Sequence, residues 1–151
     1  MKNTIRLLAL CILALPRFAH GQSAADSAAV MRAGLDYIEG FYEGDVDKLQ
    51  RSVRPNVAKF GFWRARNATE FKPDTMSYAQ FIDYAKGVKA RGNGAPPNAP
   101  KDVKIIDMMD HIAAVKVTAW WGVDYLQIGK YDDRWMIAHV LWQSPSVAPR
   151  P

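Results

Sequence analysis

Two segments near the C-terminus, HIAAVKVTAWW (111–121) and WMIAHVLW (135–142), most restrict what this chain can fold into. In a strand, alternate side chains leave opposite faces. Ala113, Val115, Val117, Ala119 and Trp121 therefore share one side of the first segment, and Ile112, Ala114, Lys116, Thr118 and Trp120 the other. The first set is wholly apolar. In the second segment Trp135, Ile137, His139 and Leu141 share one side, Met136, Ala138, Val140 and Trp142 the other, and both sides are largely apolar. A sheet wetted on one face does not carry this pattern. A sheet with one face packed on helices and the other curled around a partly enclosed space does. By the same parity Trp120 and Trp121 point in opposite directions, as do Trp135 and Trp142, so the aromatic stretch divides between core and concave surface.

Helical periodicity precedes these strands. From Ala25 to Glu43 the residues Val30, Met31, Gly34, Leu35, Ile38, Phe41 and Tyr42 recur at three and four, which predicts an amphipathic helix ended by Gly44. Asp45 can cap a second, short helix marked by Val46, Leu49 and Val53 and stopped before Pro55. A strand is predicted over Val57–Trp63. A polar stretch follows, and Ser77 with Gln80 forms a capping box for a third helix whose inner face carries Tyr78, Phe81, Ile82, Ala85 and Val88. Residues 91–101 hold too much Gly and Pro for regular structure. Strands are predicted at Val103–Met108, His111–Trp121, Tyr125–Tyr131 and Trp135–Trp142, with a turn at Asp132-Asp133. The whole is an α+β domain with a cavity.

The N-terminus reads as a separate segment. Lys2 and Arg6 precede an uncharged apolar run, Leu7–Leu15, and Ala19 and Gly21 are the small residues a signal peptidase reads. The run is shorter than the roughly 20 residues that span a bilayer. The expected organisation is a signal peptide over 1–21, one domain over 22–143 and a disordered tail over 144–151. The chain is then exported, periplasmic or secreted, with no membrane association after cleavage. Its one cysteine, Cys11, lies in the removed segment, which excludes disulfides and thiol chemistry from the mature chain. Removing Lys2, Arg6 and Arg17 from the 20 basic residues leaves 17 against 15 acidic, a net charge of +2. The remaining basic residues are scattered, so no nucleic-acid partner is expected.

Catalytic motifs are sparse. His111 and His139 are isolated from any acidic cluster, so no metal site and no cofactor are expected. No serine stands in a G-x-S-x-G context. Asn67-Ala68-Thr69 is formally a glycosylation sequon.

LDYIEGFYEGDVDKLQRSVRPNVAKFGF at the front and IAAVKVTAWWGVDYLQIGKYDDRWMIAHVLWQ at the back resemble the putative lumazine-binding family of the nuclear transport factor 2-like superfamily. The resemblance covers most of the mature chain, with one departure: Arg54 stands before Pro55 where the family tends to have His. It implies a cone in which three N-terminal helices pack on a strongly curved antiparallel sheet with a pocket between them, often in a homodimer. Fold alone does not settle function, because the superfamily hosts isomerases, cyclases, dehydratases and binding domains.

The front stretch is also similar to ketosteroid isomerases, whose chemistry needs a carbonyl-polarising tyrosine and a proton-moving acid. Tyr37 fits the tyrosine's place. The base position falls near Gly61 and the partner acid near Gln127, neither of which can do that work; Asp124 is the nearest carboxylate. Tyr37 and Asp124 are therefore the catalytic candidates, and Asp124 reads first as a strand-end residue that hydrogen-bonds backbone or pairs with a Lys. The ligand-binding candidates are Tyr37, Phe41, Trp63, Tyr125 and Trp142, with His139 as a polar anchor, since ligand sites are mostly apolar with few polar groups. Binding of a small flat or aromatic ligand ranks first, an interaction or dimerisation module second, and an isomerase- or cyclase-like enzyme third.

Overall fold

The computed structural model describes residues 23–65 and 68–145. The expected signal peptide, Asn67 of the sequon and residues 146–151 of the expected tail lie outside the described residues. Of that tail, Ser144 and Pro145 are held: the Ser144 N–H donates to the Phe62 carbonyl, its hydroxyl accepts from the Arg64 N–H, and Arg64 donates to the Pro145 carbonyl.

Three helices lead. Helix α1 (Ala24–Glu43) starts at Ser23, whose hydroxyl accepts from the Asp26 N–H, and ends at Gly44 in the left-handed region at φ 67°. A Cβ there would sit 2.5 Å from the Lys89 nitrogen, so glycine is required by space as well as by backbone. Asp45 caps α2 (Val46–Ser52), which runs directly into β1 (Val53–Trp63). After β2 (Lys72–Thr75), the reciprocal Ser77–Gln80 capping box opens α3 (Tyr78–Arg91). The remaining strands are β3 (Lys101–Met108), β4 (Ile112–Ala119), β5 (Gly122–Tyr131) and β6 (Arg134–Gln143). Asp132 and Asp133 join the last two with positive φ at both positions, the backbone of a tight hairpin turn that matches strand twist.

The six strands form one curved sheet in the order β2-β1-β6-β5-β4-β3. The helices cover one face, and fully buried Val30, Ile38, Leu49, Val115, Val117, Ile137 and Val140 fill the space between. The cone-like α+β architecture read from the sequence is the one observed.

The structure corrects several details. The sheet is not wholly antiparallel, because β1 pairs parallel with β6. Strand β1 begins at Val53 and passes through Pro55, which falls where the β1–β6 register shifts between Val53 and Ala58 and no ladder donor is needed. Strand β2, all of it exposed, lies in the polar stretch before Ser77, where the sequence predicts no strand. Strand β4 stops at Ala119, so Trp120 and Trp121 form the turn into β5 and strand parity no longer governs them. In β6, Gln127 pairs with His139 and Ile128 with Ile137, which leaves Ala138 as an extra residue. That bulge resets the alternation: Trp135 and Ile137 before it, and Val140 and Trp142 after it, all face the helices. Trp135 and Trp142 therefore share a side, contrary to the expectation from strict period two.

Candidate functional site

A cavity of about 300 Å³ opens between α1, α3, the β1–β2 end of the sheet and the β4–β5 turn. Phe41 of α1, Tyr84 of α3, Trp120, Trp121 and Trp142 supply aromatic wall; Gln80, Asp74 and Thr75 supply polar rim; Lys59 of β1 reaches in from the sheet. Turn and helix are tied together by Tyr42, whose hydroxyl accepts from the Trp120 N–H at 2.8 Å and donates to the Pro100 carbonyl. The rings interlock edge to face: Tyr37–Phe41 at 5.1 Å, Phe41–Phe81 at 5.3 Å and Phe41–Trp121 at 5.5 Å between centroids. Edge-to-face contact fixes ring orientation, so Phe41 and Trp121 are held in place. Gly61 makes room for one of them. A Cβ at Gly61 would lie 2.1 Å from the Trp142 carbonyl and 2.3 Å from its indole, on the neighbouring strand.

Beneath the walls sit three buried polar side chains. Lys59 is only 7% exposed, and its Nζ donates to the Tyr37 hydroxyl at 2.7 Å. The same ammonium lies 5.3 to 5.5 Å from the ring centres of Tyr37, Phe41, Phe81 and Trp142, within cation–π range. Asp124 of β5 is fully buried, and its Oδ2 accepts from the Trp121 indole N–H at 2.8 Å.

Tyr37 lies close enough to the Asp124 carboxyl for each to shift the other's pKa, yet Asp124 Oδ1 has no hydrogen bond of normal geometry, and neither does the Trp142 indole N–H. A buried polar atom without a partner costs about 1–3 kcal/mol. Burial pushes the Asp124 carboxyl up, against Lys59, Trp121 and Tyr37, which favour its charge. Burial pushes Lys59 down, against Asp124 and Asp74. Burial and the Asp124 charge push Tyr37 well up. An ammonium whose proton burial loosens and a carboxylate that burial makes a better proton acceptor thus flank one phenol. Such a set can hold or move a proton within an apolar enclosure.

The sequence model of the family described as Putative lumazine-binding matches residues 25–143, which takes in every helix and strand but the first residue of α1. The chain belongs to that family. No curated protein matches. Solved structures with the same fold include nuclear transport factor 2-like proteins of unknown function from Shewanella baltica (15% identity, TM-score 0.61, 81% of this chain and 96% of that one) and Methylobacillus flagellatus (16%, 0.62, 82% and 95%). A third, from Silicibacter pomeroyi, is 16% identical with a TM-score of 0.60 over 82% of this chain and 99% of that one. At these identities the likeness is one of fold.

Within this member of the Putative lumazine-binding family, the residues singled out from sequence separate. Phe41 and Trp142 line the cavity, and Tyr37 and Asp124 meet beneath it. Trp63 is 47% exposed at the end of β1 and is not among the lining residues. Tyr125 is 50% exposed because it follows Asp124 on a regular strand and so leaves by the opposite face. His139, next to the β6 bulge, meets exposed Phe60 in a tilted ring contact at 5.1 Å on that same outer face, away from the cavity.

Lys59 was missed from sequence, together with Trp120 and Trp121 as joint cavity walls. A signal for Lys59 exists: Val57, Lys59 and Gly61 share a side by parity. It is masked because Ala58, Phe60 and Phe62 form the more apolar side, and the structure turns that side outward. Among the described residues no group of three or more His, Cys, Asp or Glu could hold a metal ion.

Proposed function

We propose that this chain is an exported small-molecule-binding domain whose cavity receives a flat aromatic or heteroaromatic ligand against Phe41, Trp120, Trp121 and Trp142. The observation that carries the reading is the aromatic enclosure with a buried cation at its base. Apolar walls with a few convergent polar groups are what small-molecule sites generally present. Export rests on the N-terminal pattern of Lys2, Arg6, the Leu7–Leu15 run, Ala19 and Gly21. Lumazine, from the family's description, is the natural first probe, since its fused rings suit a slot between tryptophans. Titration with lumazine is expected to quench tryptophan fluorescence saturably, at about one ligand per chain, and Trp121→Leu is expected to weaken it. Linear, unsaturable quenching that Trp121→Leu leaves unchanged would count against the proposal.

A homodimer is the second part of the reading. It is favoured by the sheet's uncovered face, where Phe60, Phe62, Tyr125 and Leu141 are each about half exposed. A contiguous apolar patch on a sheet is a usual mark of a protein interface.

A further inference from the structure

Lys59 is used by the binding reading only as a charge, although its surroundings suit a nucleophile. We propose that the cavity takes a flat aldehyde or ketone and that Lys59 Nζ condenses with its carbonyl carbon to form an imine. This deepens the reading above and rests on it. Three observations converge. The amine is enclosed, touching the cavity that Phe41, Trp121 and Trp142 wall. Its Nζ stands 2.7 Å from a hydroxyl, Tyr37, that can give and take a proton. Beyond Tyr37 lies a buried carboxyl, Asp124, close enough for Tyr37 to shift its pKa and with one oxygen, Oδ1, that lacks a hydrogen bond of normal geometry. Desolvation in an apolar pocket is a recognised way to free a lysine lone pair, and burial pushes Lys59 in that direction while it pushes Asp124 toward holding a proton.

The step balances without any redox partner. Lys59 passes a proton by way of Tyr37 to Asp124, and the neutral amine adds to the carbonyl carbon. A C–N bond forms, and the carbonyl π pair moves to oxygen, which takes a proton from Tyr37. The nitrogen of this carbinolamine then loses its remaining excess proton to the Tyr37–Asp124 pair. Protonated from Tyr37, the hydroxyl leaves as water while the nitrogen lone pair closes the C=N bond, leaving a protonated imine and the Asp124 carboxylate. One carbonyl compound and one amine give one imine and one water.

The test uses the full chain with benzaldehyde and sodium cyanoborohydride near neutral pH, read by intact mass and peptide mapping. One benzyl group is expected on Lys59, added about tenfold or more faster than on any other lysine. Tyr37→Phe is expected to slow this addition relative to labelling of the surface lysines, while benzyl alcohol, which has no carbonyl, still quenches the tryptophans of the wild-type chain saturably. In Lys59→Met the fast label should vanish. Should that variant fail to fold, the wild-type peptide map decides alone. Labelling spread over surface lysines with Lys59 unmodified would overturn the proposal. If benzyl alcohol still quenches saturably in that case, the binding reading stands and only the imine falls; if it does not, both fall.

Discussion

At the scale of single residues, the arrangement turns on two charges that burial disfavours. Lys59 and Asp124 are not in direct contact; Tyr37 stands between them, so neither is neutralised by an ordinary ion pair. Removing one partner leaves the other charge stranded, whereas removing both removes the desolvation cost together. Asp124→Asn is therefore expected to lower stability by about 3 kcal/mol, and Lys59→Met added to it to recover most of that loss. Urea denaturation at pH 7 reads both, and a double variant less stable than the single one would contradict this account. The same pair marks where sequence reading stopped. Tyr37, Phe41, Asp124 and Trp142 were legible from helix period, strand parity and family likeness. Lys59 was not, because a lysine between Ala58 and Phe60 looks like the wet side of a strand. Tyr125 could have been set aside: if Asp124 faces inward on a regular strand, its neighbour cannot.

At the scale of elements, the helices were readable because their signals are local: a cap, a three-four period, a terminating glycine. Strand β2 was not, since its four exposed residues carry no apolar pattern and exist only by pairing with Phe60–Trp63. The β6 bulge and the Trp120-Trp121 turn were hidden for a related reason, that pairing with a neighbour sets both. These two irregularities bring Trp120, Trp121 and Trp142 to one cavity.

The docking of α1 onto the sheet carries a pH signature. Asp26 accepts from the Trp135 indole N–H at 2.8 Å and pairs with Lys130 at 2.9 Å. The Trp135 bond first, then Lys130 and Ser23, hold its carboxyl down at about 2. Because the folded value lies below the unfolded one of about 3.9, this contribution is present above about pH 4 and is lost as pH falls toward 2. Asp26→Asn should lower the Tm at pH 7 and make little difference near pH 2. Equal losses at both pH values would mean that packing, not charge, sets the contact.

At the scale of the whole molecule, one face of a bent sheet is sealed by helices and holds the cavity, while the other shows Phe60, Phe62, Tyr125 and Leu141 to solvent. A stable interface buries about 800 Å² per partner, and a six-stranded face can supply such an area. Sedimentation of the chain should give a dimer at micromolar concentration, and Phe62→Lys with Leu141→Lys a monomer of unchanged secondary structure. A wild-type monomer would remove the assembly reading without touching the cavity, which Phe41 and Tyr84 wall from the helix side.

The claim on which everything else depends is that a ligand enters among three particular indoles. The five tryptophans give separate indole N–H signals in a ¹H–¹⁵N NMR spectrum, assignable by one Trp→Phe change each. On titration with lumazine the signals of Trp120, Trp121 and Trp142 should shift together and saturate, while those of Trp63 and Trp135 stay in place. Shifts confined to Trp63, or an unmoved Trp121 and Trp142 at saturation, would contradict the account.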